Sequence, residues 1–383
     1  MYIDDILLVG NDLSEMQSLK SYLGATFKIK DLGLVHYFLG LEISLHPQGY
    51  IMSQQKFTSD LLSDFNCQHF SFVLTPLDPS VNLTMDMGEP ISDPSLYRRL
   101  VGKLNFLQNT RPDIYFSVHN LSQFLQKPQV PHMMSSLHVL RYLMNDPAHG
   151  VLLSSSSDFS LLAYSDSDWA SCVVSRKSVN GYYITLGGSP VSWKSKKQPT
   201  ISLSSVEAEY LALRKVAVEI SWLVRLLGDL GLLITCPVFV FCDSHAALYM
   251  AKNHVFHERT KHMEIDCHYI CQCLSSGLLS LHYVSSSDQL ADIMTKTLTG
   301  QPHHDILSKL GVISPSSLRG SVNQCVTKAQ SNKGKQLAHY CLLKRTSPFI
   351  HLLVLYIFPC IFLLHILVNI KEHYVGNKSV LVD

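Results

Sequence analysis

Apolar residues along the first third of the chain fall into two spacings. Residues 1 to about 75 mix short apolar runs with Gly and Asp, a pattern of strands and short helices. The run at 37–43, followed by Gly49 and a second run at 50–52, reads as a hairpin. From about 76 to 150 the interval becomes helical. Leu100, Leu104 and Leu107 recur on one stripe, then Val118, Leu121 and Leu125, with Pro79, Pro94, Pro112, Pro128 and Pro147 as punctuation. Serines at 154–157 read as a polar hinge. Beyond it the pattern alternates as in a mixed α/β domain. Strands are expected over 161–164, 181–186 and 191–193. A long helix follows over about 205–227, then a continuously apolar strand at 238–242, expected to be covered on both faces. A helix, a strand over 279–284 and a last helix from Gln289 complete the region. No internal repeat is evident.

Composition narrows this picture only a little. A chain of 383 residues can bury a sizeable core in two or three domains. Hydrophobic residues make up 46% and charged residues 16%, which excludes a disordered chain. The net charge of +1 gives no global positive field, so any nucleic-acid contact must come from local patches. The ten cysteines show no paired spacing, and no cationic leader precedes the apolar run at 6–9. They read as reduced thiols in an intracellular protein of cytoplasm or nucleus, not a secreted one.

The chemistry concentrates in four acids in separate frames: Asp166 in YSDSDW, Glu209 in SSVEAEY, Asp243 in FCDS and Asp292 in LADIMTK. Asp166 is expected to close the first strand, with Asp168 as its rival. Asp243 follows the buried strand, at the end where open α/β sheets place ligands. Asp292 begins the last helix. Ser204 and Glu207 fit a capping box, which gives Glu207 a structural duty. Glu209 borders the buried stripe of Val206, Tyr210, Leu213, Ala217, Ile220, Val224 and Leu227 and is assigned the chemistry. Four carboxylates near one sheet end repel one another unless a dication neutralises them. Hard oxygen ligands favour Mg²⁺, or Mn²⁺, over zinc.

Two further groups are candidates. Lys194, Lys196 and Lys197 beside Trp193 are placed to contact phosphates, with an ordinary solvated turn as the alternative; Arg176 and Lys177 share that ambiguity. His257, His262, Cys267, His268, Cys271 and Cys273 crowd together, but their spacing fits no common zinc finger.

The strings YIDDILLVG, DLGLVHYFLGLEI, YRRLVGKLNFLQNTRPDI, AYSDSDWA, SWKSKKQPTISLSSVEAEYLAL, CDSHAAL, HERTKHMEID and DQLADIMTK, in this order, carry a resemblance. They resemble the C-terminal part of a copia-type long-terminal-repeat retrotransposon polyprotein, a reverse transcriptase joined to its ribonuclease H domain. The resemblance implies α/β and α+β architecture: a partial polymerase palm and thumb over 1–75, a helical connection over 76–150, and a ribonuclease H-like mixed five-stranded sheet with flanking helices over 158–300. It implies that Asp166, Glu209, Asp243 and Asp292 bind two Mg²⁺ ions and that the RNA strand of an RNA–DNA hybrid is cut. His257 or His262 would assist the leaving group or product release. Asp4 and Asp5 match the polymerase's paired aspartates; its third carboxylate lies upstream of that motif in the family, so no polymerase activity is expected of this chain alone. Other polyprotein products are expected partners. The rivals are a non-enzymatic relic of such an element and an integrase-type nuclease. The latter lacks its zinc module here.

The resemblance ends near 300, leaving 301–383 as a tail. Its apolar segment 349–370 is long enough to span a bilayer, with Lys328, Lys333, Lys335, Lys344 and Arg345 ahead of it. Pro359, His351 and His365 interrupt it, and translation past the element's end is the preferred reading over an anchor.

Overall fold

The computed structural model describes residues 5–10, 12–27, 29–156, 158–253, 264–314 and 339–345. The first described elements are strand β1 (Asp5–Gly10), helix α1 (Leu13–Phe27) and β2 (Ile29–Leu34). The apolar run at 37–43 is not continuous. Leu39 and Gly40 take positive φ and split it into β3 (Tyr37–Phe38) and β4 (Leu41–His46). The expected hairpin then joins β4 to β5 (Gly49–Ser53), with His46 opposite Gly49. Only glycine fits that corner: at φ +146° its Cβ would lie 1.9 Å from the Leu153 carbonyl oxygen.

Helices α2 (Gln55–Asp64), α3 (Pro94–Leu107), α4 (Tyr115–Leu121) and α5 (Val130–Leu143) follow. Asp93 starts α3 by accepting the Ser95 N–H at 2.8 Å, with Pro94 in the first helical position. The stripe read from the sequence is the core of this region. Leu100, Leu104, Leu107, Val118 and Leu121 are wholly buried with Tyr97, Ile114 and Leu140, and Leu125 packs at the margin.

Strand β6 (Gly150–Ser154) pairs with β5 along its length. At the start of the expected serine hinge, Ser154 and Ser155 are tied down. Ser154 lies opposite Gly49 and donates its N–H to Ser189 Oγ at 2.8 Å, and the Ser155 N–H bonds the Gln48 carbonyl at 2.7 Å. Polar composition suggested freedom, but backbone pairing removes it.

The next unit holds β7 (Leu161–Asp168), β8 (Val179–Leu186), β9 (Ser189–Lys197), α6 (Ser205–Asp229), β10 (Val238–Cys242), α7 (His245–Lys252), α8 (Glu264–Ser275) and β11 (Leu279–Tyr283). Its mixed sheet has five strands in the order β11-β10-β7-β8-β9. β7, β8 and β9 are antiparallel, whereas β10 runs parallel to both β7 and β11. This is the ribonuclease H-like sheet with flanking helices that the sequence led us to expect. Leu161, Ala163, Ile184, Val238 and Val240 face α6, α7 and α8, and Tyr210, Leu213, Ala217, Ile220 and Leu227 pack onto them. The opposite face, carrying Tyr183, is covered by a 3₁₀ turn (Leu290–Met294) and helix α9 (Gly300–Lys309). β10 departs from expectation. Its Phe239 is 42% exposed and Phe241 half-buried, stacked on Tyr164 at 5.1 Å, so only one face of the strand is fully covered.

Strand β12 (Val312–Ile313) returns to pair with β6, giving a second five-stranded sheet in the order β12-β6-β5-β4-β3. Strand β13 (His339–Arg345) lies between β1 and β2 in a third. No helix among the described residues is long and apolar enough to cross a membrane, and the segment 349–370 lies outside them.

A buried ionic cluster fastens the helical region to α9. The Arg111 guanidinium grips Asp113 at 2.7 Å, Tyr142 donates its hydroxyl to the same carboxylate oxygen at 2.7 Å, and His303 of α9 lies 3.0 Å from that hydroxyl. Burial alone would push the Asp113 carboxyl up. Arg111 overrides it and holds the pKa at about 2. Asp113→Ala leaves a buried guanidinium unpaired and is expected to destabilise the protein by roughly 3–5 kcal/mol, read from urea unfolding. A loss below that of an ordinary surface substitution would contradict this account.

Candidate metal centre

Each of the four acids reaches the same sheet edge by a different route. β7 runs through Asp166 to Asp168, so Asp166 lies inside the strand, opposite Gly181, rather than closing it. Strand alternation sends both aspartates to one side. Asp166 is buried and Asp168 half-buried, nearer the rim. Because β10 is parallel to β7 with Phe241 level with Tyr164, the residue after β10, Asp243, comes level with Asp166. Ser286 donates its hydroxyl to Asp243 Oδ2 at 2.9 Å.

Glu209 comes from the helix on the far face of the sheet. Ser204 caps α6 by accepting the Glu207 N–H at 3.2 Å, and the Glu207 carboxylate accepts the Leu203 N–H at 2.9 Å. The reciprocal bond is thus made one residue before the cap itself, and Glu207 keeps the structural duty read from the sequence. Two residues on, Glu209 is buried, with Oε2 3.9 Å from the Cys242 sulfur.

Asp292 does not begin a helix. It sits in the 3₁₀ turn, because Gln289 pins the segment in place. Its side-chain amide donates to the Ser165 carbonyl at 2.9 Å and its oxygen accepts the Ala291 N–H at 3.3 Å. Thr295, fully buried, donates its hydroxyl to Asp166 Oδ2.

The result is a clustered oxygen set. Ligand atoms of Asp166, Asp243 and Asp292 all lie within 4.8 Å of one another, as do those of Glu209, Cys242 and Asp243. Asp243 belongs to both groups. The Cys242 thiol is pushed up by burial and by Glu209, so it offers no thiolate to a soft metal. Oxygen donors alone suit a hard dication such as Mg²⁺ or Mn²⁺.

Electrostatics carry the mark of this crowding. Burial, then Asp166 and Asp243, push Glu209 up to about 9. Burial, then Asp166, push Asp292 up to about 7 against the pull of Lys296. Asp166 and Asp168 are also raised, first by burial. Lys296 supplies the opposing charge, with Nζ 3.0 Å from Asp292 Oδ1 and 3.7 Å from Asp166 Oδ2.

Sequence reasoning passed over Lys296, Thr295, Gln289 and Gly181. The only local signal for Lys296 is its position four residues after Asp292. Gly181 had none, since its role depends on β8 passing beneath the 290–295 turn. A Cβ there would sit 2.6 Å from Thr295 Cγ2 and 2.7 Å from Met294 Cβ.

The lysines lie on strand β9 rather than in a turn. Lys194 and Lys196 are exposed. Lys197 turns inward: its backbone N–H donates to His119 Nε2 at 3.1 Å, and its ammonium to Gln123 and, at 2.9 Å, to the Cys172 sulfur. Arg176 is exposed at a left-handed corner, and Lys177 bonds the Pro199 carbonyl at 2.6 Å. His257, His262 and Asp4 lie outside the described residues, and Asp5 opens β1 opposite Lys344. Cys267 and Cys273 are buried in the apolar core, and neither joins a metal-capable group among the described residues.

The strand order and the carboxylate edge together define a ribonuclease H-like α/β unit with a candidate cation centre. Residues 1–79 match the family described as reverse transcriptase (RNA-dependent DNA polymerase). The chain is 41% identical over 312 residues to the retrovirus-related Pol polyprotein from transposon RE1 of Arabidopsis thaliana, covering 82% of this chain and 21% of that protein. It is 34% identical over 223 residues to a putative transposon Ty5-1 protein of Saccharomyces cerevisiae, covering 57% of this chain and 72% of that protein. Among solved structures, the N-terminal ribonuclease H domain of a Mycobacterium tuberculosis protein aligns with 36% of this chain and 91% of its own at 12% identity, with a TM-score of 0.26. The strand order, not that superposition, carries the fold. The chain belongs to the copia-type retrotransposon Pol polyprotein family. It spans about a fifth of the length of the first of these relatives, which it covers to 21%.

Two outcomes test this geometry. Gly181→Ala is expected to lift the 290–295 turn and destabilise the protein by roughly 1–3 kcal/mol, seen as a lower urea midpoint. The raised pKa values of Asp292 and Glu209 mean the folded state holds protons that the unfolded chain releases near its ordinary carboxylate pKa. With chelator present, stability should therefore fall between pH 5 and 9, by up to about 1.4 kcal/mol per pH unit for each proton concerned. Asp292→Asn should flatten that slope; an unchanged slope contradicts it.

Proposed function

We propose that this chain hydrolyses the RNA strand of RNA–DNA hybrids at the carboxylate edge. The observation that carries the reading is the convergence of Asp166, Asp243 and Asp292 ligand atoms within 4.8 Å, with Glu209 sharing Asp243 on the other side. In this reading Asp166, Asp243 and Asp292 hold one cation, and Glu209 with Asp243 a second. Bound there, Mg²⁺ or Mn²⁺ supplies the Lewis acidity that phosphodiester hydrolysis needs. The chain's own residues do the rest. The separation of the carboxylates is set by strand β7, the end of β10, helix α6 and the 3₁₀ turn that carry them. Thr295 orients Asp166 through its hydroxyl. Ser286 orients Asp243 in the same way.

Lys194 and Lys196 supply a positive strip for phosphates, extended by Lys215 of α6. Burial first, and then Arg214, Lys196 and Lys194, lower the Lys215 pKa. The cationic share of that shift places Lys215 near the other lysines, and phosphates favour such a strip. Choice of RNA would come through 2′-hydroxyl contacts. A hybrid substrate fits an intracellular protein of cytoplasm or nucleus, working beside other polyprotein products.

The test is cleavage of a labelled RNA–DNA hybrid by the full chain in Mg²⁺. Cleavage is expected, with loss of at least about a hundredfold in Asp243→Asn, more than removal of a supporting group usually costs at a metal site. A folded wild-type chain that leaves the hybrid intact would instead favour the inactive relic.

A further inference from the structure

We propose that Lys296 is the resident counter-ion of this centre, an ammonium that a divalent cation must displace in order to bind. The inference rests on the reading of the carboxylate quartet as a cation site and adds to it the residue that sets its affinity.

Three observations point to it. Lys296 Nζ bridges Asp292 Oδ1 at 3.0 Å and Asp166 Oδ2 at 3.7 Å, and these are two of the three carboxylates whose oxygens cluster within 4.8 Å. The acids are almost sealed, with the Asp166 and Asp292 side chains 3% and 8% exposed, so water does little to relieve their repulsion. The ammonium does so instead, at ion-pair distance from both carboxylates.

The lysine is built to leave. Its backbone is fixed, because its N–H donates to the Asp292 carbonyl at 3.2 Å and its neighbour Thr295 is wholly buried. Its side chain is 36% exposed on a flexible four-carbon stem, with solvent to swing into. A dication seated among Asp166, Asp243 and Asp292 would draw on two carboxylates, Asp166 and Asp292, that the ammonium already pairs with. Two positive groups within a few ångströms of one another repel strongly in a site this dry. The lysine therefore assembles the carboxylates before any metal arrives, and lowers the affinity with which the metal binds.

Calorimetric titration of the chelator-treated full chain with Mn²⁺ tests this, using wild type, Lys296→Met, Lys296→Gln and the charge-retaining Lys296→Arg. The neutral variants should bind Mn²⁺ about tenfold more tightly or better, since the competing charge is gone. They should also melt at lower temperature than wild type without metal, whereas Lys296→Arg should stay near wild type in both measurements. Glutamine keeps a donor for Asp292, so it preserves the test if methionine prevents folding. Equal or weaker Mn²⁺ binding in the neutral variants, beside measurable binding by wild type, would overturn the counter-ion role and leave the cation site standing. If none of the four proteins binds Mn²⁺, both readings fall together.

Discussion

Carboxyl groups held together out of water are the constraint on which this protein turns. Asp166, Glu209 and Asp292 are buried, and Asp243 is half-buried beside them. Burial first, and then their proximity, raises the proton affinity of Glu209 and Asp292, and nothing in a carboxylate's own chemistry favours such a gathering. It persists because each acid sits on an element fixed by something else: β7 by its neighbours β8 and β10, the 3₁₀ turn by Gln289, and α6 by its apolar stripe. Lys296, paired with Asp166 and Asp292, offsets part of their mutual repulsion.

That arrangement depends on one topological choice. β10 runs parallel to β7, so the C-terminal ends of both strands open on the same edge. Had β10 been antiparallel, Asp243 would leave from the opposite end. The turn carrying Asp292 approaches from one face and Glu209 from the other, so the edge is closed from both sides. Gly181 permits this by presenting no side chain where the turn crosses β8.

The ribonuclease H-like unit is also not a bead on a string. β12 joins the sheet formed by β3 to β6, Trp193 donates its indole N–H to the Gln108 carbonyl at 3.1 Å, and the Arg111–Asp113–Tyr142–His303 cluster buries charge between α5 and α9. Strands from 37–53, 150–154 and 312–313 therefore share one sheet. Segments distant in sequence are bound to one another by hydrogen bonds that local composition does not announce.

The sequence by itself determined the stripe of α6, the cap at Ser204 and the hairpin before Gly49, because those signals are local: periodicity, a cap spacing, a glycine between two apolar runs; it also singled out the four acids by their frames. It misjudged what depends on the environment. Ser154 and Ser155 looked free and are hydrogen-bonded to other segments, β10 looked covered on both faces and is covered on one, and Asp292 looked helical but lies in a turn that Gln289 ties to β7. Tertiary structure alone decided that Lys296 meets Asp166, since the two are brought together only when the turn docks on the sheet. Residue types and spacings report what a segment can do; which charges end up sharing a few ångströms is settled only by how the segments pack.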